Sequence, residues 1–97
     1  MKAVFFAYNQ ALTEAVNSIL DRHQIKGYTK WADVQGCGSN GGEPHFGNHT
    51  WPAMNSSILA IMEDKKVKPL LENLKKLDDS AEQQGLRAFV WNVEEQI

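Results

Sequence analysis

Cysteine and histidine, two residue types well suited to metal binding and acid–base chemistry, are concentrated in one glycine-rich stretch, GCGSNGGEPHFGNHTW, over residues 36–51. The stretch holds five of the seven glycines, two of the three histidines and the single cysteine. In compact domains, unstructured connections longer than about 12 to 15 residues are usually functional or disordered. We therefore expect the activity of the protein to reside in a loop over residues 36–56. The middle of this loop, residues 41–48, has few residues able to fix its conformation.

Four residues of this loop, Cys37, Glu43, His45 and His49, belong to types that bind metal ions, and Cys37, His45 and His49 are the set considered as ligands. A thiolate with two imidazoles suits zinc or copper, so these residues are the predicted ligands of a divalent metal ion. The two histidines are four residues apart and would need a helical turn, which the glycines disfavour, to face one ion. The alternative is that the histidines are solvated and that Cys37 packs beneath the loop as a small apolar group.

Length and charge limit the class of protein. The 97 residues correspond to one domain, 1–97, which at this size buries only about 60 to 65% of its unfolded surface, so a second subunit would add burial. The net charge of -2 lacks the basic footprint of a nucleic-acid binder. A single cysteine excludes an intrachain disulfide and suits a reducing compartment. The N-terminus has neither a signal-peptide pattern nor a membrane span, so we predict a cytoplasmic protein without membrane insertion.

The segments on either side of the loop have the hydrophobic periodicity of four strands and two helices. Apolar and alternating runs predict strands over residues 2–8, 28–34, 58–62 and 86–93. Asn9 is the predicted N-cap of the first helix. Proline is tolerated only in the first turn of a helix, so Pro69 predicts a second helix that begins nearer Lys66 than Asp64.

The order of these elements predicts an α+β fold of the ferredoxin-like, βαββαβ type. Right-handed crossovers would place both helices on one face of a four-stranded antiparallel sheet, with the first strand at its centre. Either choice of parity leaves apolar side chains on both faces of the sheet, with Phe5, Phe6, Phe89, Val90 and Trp91 divided between them. The second face therefore needs a cover, and a partner subunit is the simplest one.

The residues that lead into the loop carry a family resemblance. They are Gly27-Tyr28-Thr29, Val34-Gln35-Gly36-Cys37-Gly38 and Gly41-Gly42. This segment is similar to the part of the PII signalling proteins in which GxT leads through a strand into V-x-G-x-G at the base of the T-loop. The element order and chain length also resemble the PII-like superfamily, which includes the CutA trimers.

The resemblance implies a regulatory homotrimer with clefts between subunits that bind small effectors, which in PII are usually adenine nucleotides. It also implies a protein partner, a transporter or an enzyme, that is contacted through the loop. The implied ligand-binding residues are Gly36 and Gly38, which match the PII glycines near the phosphates, and Ser39 and Asn40, which replace an Arg-Gln pair. Arg87 is the fifth, because it is the only positively charged residue in the segment that stands in place of the PII B-loop, residues 81–87.

Other function classes remain beside this one. A CutA-like trimer that binds copper or zinc is the main alternative. An RNA-recognition module shares the order of elements, but it needs a basic surface and a basic, aromatic strand that this sequence lacks. Acylphosphatase chemistry needs an arginine near the first loop, where the sequence has Tyr8-Asn9-Gln10. No serine, histidine and acid set can be placed on the predicted elements, so we predict that the protein is not an enzyme.

Overall fold

The computed structural model describes residues 1–81 and 85–97, and within them four strands and two α-helices follow one another in the predicted order. The elements are β1 (Lys2–Asn9), a 3-10 turn (Gln10–Leu12), α1 (Thr13–Arg22), β2 (Thr29–Val34), β3 (Asn55–Met62), α2 (Asp64–Ser80) and β4 (Leu86–Asn92). The part of the B-loop segment formed by residues 82–84 lies outside the described residues.

The four strands form one antiparallel sheet in the order β2-β3-β1-β4. β1 pairs with β3 over its whole length and with β4 on its other side. This is the predicted ferredoxin-like arrangement with β1 at the centre, and the α+β prediction is confirmed. The apolar character of β1 on both faces explains its position, since a central strand is covered by neighbours on both edges and by a packed layer above it.

The hydrophobic core lies between one face of the sheet and the two helices. Alternate residues of β1, namely Val4, Phe6 and Tyr8, point into it and are fully buried. The helices contribute apolar residues at helical spacing, and one cluster joins both layers. Its helical members are Val16, Ile19, Leu20, Leu70 and Leu74.

The opposite face of the sheet carries large apolar side chains that nothing in the described chain covers. Phe89 and Trp91 of β4 are 53% and 50% exposed, and Trp31 and Ile61 are exposed as well. Phe5 lies between Leu59 and Phe89 in the strand register, which makes the patch continuous across the sheet. The prediction of apolar residues on both faces is therefore confirmed.

Three element boundaries differ from the sequence prediction by more than one residue. Asn9 caps a 3-10 turn by accepting the Ala11 N–H at 2.9 Å, and α1 begins only at Thr13. β3 begins at Asn55, inside the polar cluster predicted to belong to the loop, because pairing with β1 continues as far as Asn9. α2 begins at Asp64, so Pro69 occupies its second turn.

The early start of α2 has a physical explanation. A proline in the second turn removes a single intrahelical hydrogen bond, and Pro69 itself is exposed. The buried residues Leu70 and Leu74 hold the helix on the core, so packing outweighs that local loss. In the described part of the chain, no helix is long and apolar enough to cross a membrane.

Candidate functional site

The loop after β2 is closed at its base by a pair of backbone hydrogen bonds between Gly36 and His45. The Gly36 N–H donates to the His45 carbonyl at 2.9 Å, and the His45 N–H donates to the Gly36 carbonyl at 2.7 Å. Residues 36–45 therefore form a closed loop that projects from the end of β2. We call Gly36 and His45 the closing pair.

A second, smaller turn follows over residues 47–53. The Gly47 N–H donates to the Ala53 carbonyl and the Asn48 N–H donates to the Trp51 carbonyl, each at 3.0 Å. The Trp51 N–H returns to Asn48 Oδ1 at 2.7 Å. The expectation that the loop middle lacks conformation-fixing residues is therefore wrong from His45 onward, because side-chain amides and main-chain pairs hold it.

An irregularity near the end of β2 sets the direction in which the chain leaves the sheet. The pairing of β2 with β3 shifts register between Trp31 and Val34, and Asp33 has φ of 58°, a left-handed conformation that is uncommon for a residue with a side chain. Gln10 of the 3-10 turn holds this residue, because its Nε2 donates to Asp33 Oδ1 at 2.6 Å. The first residues of the loop thus leave the sheet in a fixed direction.

A cavity of about 620 Å³ lies between the closed loop and the adjoining ends of β1, β3, β4 and α2. Phe5 and Ala7 of β1, Ser57 of β3 and Arg87 of β4 line it from the sheet. These four residues share the uncovered face in the strand register. The cavity therefore adjoins the apolar patch.

All five residues of the predicted effector site line this cavity. They are Gly36, Gly38, Ser39, Asn40 and Arg87. Gly36 nevertheless differs from the expectation for a ligand-binding glycine. Its N–H donates to the His45 carbonyl and is therefore not available to a ligand. A Cβ on Gly36 would stand 2.3 Å from Asn55 Nδ2, whereas one on Gly38 would meet nothing within 4 Å. Gly36 is required for close packing, and Gly38 lies open to the cavity.

The sequence matches the family model "Nitrogen regulatory protein P-II" over residues 1–97. The chain belongs to the P-II family. No curated protein matches it. Among solved structures, CPII, a nitrogen regulatory PII-like protein from Thiomonas intermedia K12, is similar with 26% identity and a TM-score of 0.74, over 93% of this chain and 82% of CPII.

That CPII structure holds ADP, AMP and bicarbonate, and another, at 27% identity over the same shares of both chains and a TM-score of 0.74, holds ADP and bicarbonate. A putative PII-like signaling protein from Thermus thermophilus shares the fold at 23% identity and a TM-score of 0.70, over 95% of this chain and 85% of that protein. The resemblance seen in the loop-leading residues is thus confirmed over the whole P-II chain.

Six polar residues of the P-II cavity are absent from the predicted effector set. They are Gln35, Glu43, His45, Asn55, Ser57 and Asp78. Asp78 Oδ1 accepts the Leu86 N–H at 3.1 Å, which ties the end of α2 to the start of β4. Asp78 and Asn55 carry no signal in the sequence, because only the fold brings α2 and β3 to the loop.

The cavity of this P-II chain contains charges of both signs. Arg87 supplies the cation among its described lining residues, and its guanidinium carbon lies 5.9 Å from the centre of the Phe89 ring. Glu43 and Asp78 are the acidic groups. Arg87 therefore attracts an anionic group of a ligand to the cavity, whereas Glu43 and Asp78 attract cationic or hydrogen-bond-donating groups.

The predicted metal ligands are not brought together. Cys37 and His45 line the cavity, but His49 is exposed on the second turn and does not line it. Within residues 1–81 and 85–97 there is no group of three or more histidine, cysteine, aspartate or glutamate side chains placed to hold a metal ion. Cys37 is exposed rather than packed beneath the loop. The CutA-like alternative gains no support from this arrangement.

Proposed function

We propose that this P-II family chain is a regulatory protein that binds a small anionic effector, an adenine nucleotide or bicarbonate, in the cavity at the base of its loop. The observation that carries the proposal is the convergence of Gly38, Ser39, Asn40 and Arg87 on one cavity. Its volume of about 620 Å³ lies within the usual range of small-molecule sites. The ADP, AMP and bicarbonate held by CPII support both ligand classes.

The chemistry of the lining residues supports an oxyanion ligand. Gly38 can bring its backbone close to a ligand because no described atom lies within 4 Å of its open side. Ser39 and Asn40 carry hydrogen-bond donors, and both are exposed. The Arg87 guanidinium provides the charge-assisted contact that a phosphate or a bicarbonate requires.

Titration calorimetry with ADP, AMP, ATP and bicarbonate tests this proposal. We expect Arg87→Gln to weaken the binding of the preferred ligand about tenfold, because a charge-assisted hydrogen bond is lost. Arg22→Gln removes the same charge from the exposed end of α1, outside the cavity, and should leave binding unchanged. Absence of binding at millimolar concentrations of all four ligands would contradict the proposal.

We also propose that three copies assemble through the uncovered sheet face. The exposed Trp31, Phe89 and Trp91 support this assembly, because a contiguous apolar patch on a small protein commonly marks an interface. Light scattering or native mass spectrometry at micromolar concentration should give about three times the chain mass of 10.9 kDa. A monomer at that concentration would contradict the trimer.

Effector binding, in this proposal, is relayed through the loop to a protein partner such as a transporter or an enzyme, and the chain itself performs no catalysis. His49 and Thr50 support this role, since both are exposed at the tip of the second turn. An exposed Cys37 thiol is consistent with a cytoplasmic location. The amount of a protein partner captured by the wild-type chain should change when ADP or bicarbonate is added, and it should fall in His49→Ala. If neither the ligand nor the substitution changes the amount captured, the relay is contradicted.

A further inference from the structure

His45 takes part both in the closure of the loop and in the lining of the cavity. Its backbone forms one half of the closing pair, and its ring lines the cavity. The residue is only 8% exposed, which makes it one of the few buried polar residues described in the chain. A histidine buried to this degree in a loop otherwise rich in glycine is held by specific contacts.

The orientation of the His45 ring is set by Asn55. The distance from His45 Nδ1 to Asn55 Oδ1 is 2.7 Å, and since a carbonyl oxygen accepts, Nδ1 carries the proton and donates it. In the neutral ring, Nε2 is then a hydrogen-bond acceptor. No described residue forms a hydrogen bond with Nε2. His45 Cε1, next to Nε2, lies 3.9 Å from where a Cβ on Gly85 would stand, on the β4 side of the cavity.

We propose that His45 is a specificity residue of the effector cavity: its Nε2 accepts a hydrogen bond from an O–H or N–H group of the ligand, and the same residue transmits this contact to the closing pair. The inference rests on the proposed function, because it concerns a ligand in the same cavity. A ligand that restrains the His45 ring stabilises the closed loop, since the ring and the backbone hydrogen bonds belong to one residue.

The ligand chemistry follows from the acceptor. Bicarbonate carries an O–H group beside its negative oxygens, and an adenine nucleotide carries ribose hydroxyls and the 6-amino group. In either case the anionic part of the ligand would face Arg87, and its O–H or N–H donor would face His45. Both residues line the same cavity. An anion of similar shape without any donor should bind more weakly, because it cannot form the hydrogen bond to His45 Nε2.

Hydrogen exchange of the Gly36 and His45 amides, measured together with calorimetry, tests the inference. In the wild-type protein, bicarbonate or ADP should slow exchange of both amides, whereas nitrate, which matches bicarbonate in shape and charge but has no O–H, should not. Should ADP be the ligand, its 2′-deoxy form or the form without the 6-amino group should lose most of the slowing. These comparisons require no variant and also distinguish the two ligand sources.

His45→Asn provides the mutational arm, because an asparagine amide can replace Nδ1 as the donor to Asn55 but has no counterpart of Nε2. We expect about tenfold weaker ligand binding, near-wild-type exchange without ligand, and little further slowing when ligand is added. His23→Asn, at the end of α1 and outside the cavity, is the matched control and should bind ligand as the wild type does.

The outcomes separate the two proposals. If the wild-type protein binds neither ADP nor bicarbonate, the proposed function fails and the inference fails with it. If the protein binds bicarbonate but nitrate slows exchange as much as bicarbonate does, the inference alone is overturned. The same holds if the protein binds ADP and both modified forms of ADP slow exchange as much as ADP. It also holds if His45→Asn binds the ligand as tightly as the wild type. Should His45→Asn fail to fold, the wild-type comparisons still decide.

Discussion

Tyr8 is the largest of the fully buried side chains, and its hydroxyl has no hydrogen-bond partner among the described residues. Its ring lies beside that of Phe6, with 6.0 Å between the ring centres, so the apolar part of the side chain is well accommodated. Burial raises the pKa of the Tyr8 phenol above its ordinary value, because the phenolate is disfavoured away from water, and the neighbouring Ser56 and Thr13 hydroxyls lower it by less. The residue therefore contributes through its ring rather than through its hydroxyl.

Tyr8→Phe should leave the free energy of unfolding at pH 7 unchanged or raise it by up to about 1 kcal/mol, since an unpaired buried group is removed. A raised folded-state pKa keeps the native tyrosine protonated while the unfolded chain loses its proton. The Tyr8 contribution is thus fully present below about pH 10 and declines as the pH rises toward the folded pKa. Urea unfolding at pH 7 and at about pH 10.5 should show a smaller alkaline loss in Tyr8→Phe. The exposed Tyr28→Phe is the control, and an equal alkaline loss in all three proteins would contradict the prediction.

Gly36 illustrates how a single missing side chain permits the closure of the loop. Gly36→Ala would place a Cβ 2.3 Å from Asn55 Nδ2, which would force the asparagine away from His45. We expect a loss of about 1 to 3 kcal/mol in the free energy of unfolding, the usual range for overpacking. Gly38→Ala, which meets nothing within 4 Å, is the matched control and should change stability by less than about 1 kcal/mol. Equal stabilities of the two variants would refute the role given to Gly36.

At the scale of elements, α2 shows tertiary packing overriding a local preference. Pro69 in the second turn cannot donate to the Lys65 carbonyl, yet the helix runs over Asp64–Ser80 without interruption. Leu70 and Leu74 are buried on the sheet, and burial of one such side chain contributes about 1.5 to 3 kcal/mol. Two of these contributions exceed the local cost of the proline.

Pro69→Ala should raise the free energy of unfolding by about 1 to 3 kcal/mol, because the substitution restores the hydrogen bond to Lys65 and removes the steric conflict of the ring. The unfolded chain gains conformational freedom, which offsets part of this increase. Thermal and urea denaturation measure the change. Lys68→Ala, at the neighbouring exposed position of the same helix, should stay within about 0.5 kcal/mol of the wild type. A destabilised Pro69→Ala would show that the proline contributes to the fold in a way that helix geometry does not explain.

For the whole molecule, the cavity and the apolar patch share one face of the sheet. Phe5 belongs to both, since it lines the cavity and pairs with the exposed Phe89 in the register. A copy seated on the patch would therefore lie next to the cavity and could limit its access to water. We therefore expect the affinity of the subunits for one another to depend on whether the effector is bound, and the effector affinity to depend on assembly. The reason is that the subunit contact and the effector cover adjoining parts of one surface.

Trp91→Asp should convert the proposed trimer to monomers, because an unpaired charge in an apolar interface carries a large desolvation cost. Asn92→Asp adds the same charge one position along β4, where Asn92 accepts from Lys2 Nζ, and should keep the trimer. Size-exclusion chromatography with light scattering separates the cases. If Trp91→Asp remains a trimer, the interface does not include Trp91.

The sequence by itself determined the order of the elements, the central position of β1 and the apolar character of both sheet faces. These features follow from periodicity and chain order, which depend on each residue's own element. It also located the loop base, because the residues from Gly27 to Gly42 carry the resemblance that the P-II family model bears out over the whole chain.

Only the tertiary structure decided how the loop closes and what lines the cavity. Gly36 bonds to His45, His45 bonds to Asn55, and Asp78 of α2 bonds to Leu86 of β4. Each of these contacts joins residues from different elements or distant parts of a loop, for which hydrophobic periodicity carries no signal. The family resemblance implied that Gly36 binds a ligand, but in the fold its N–H donates to the His45 carbonyl, because a backbone donor near the sheet is paired with a nearby acceptor.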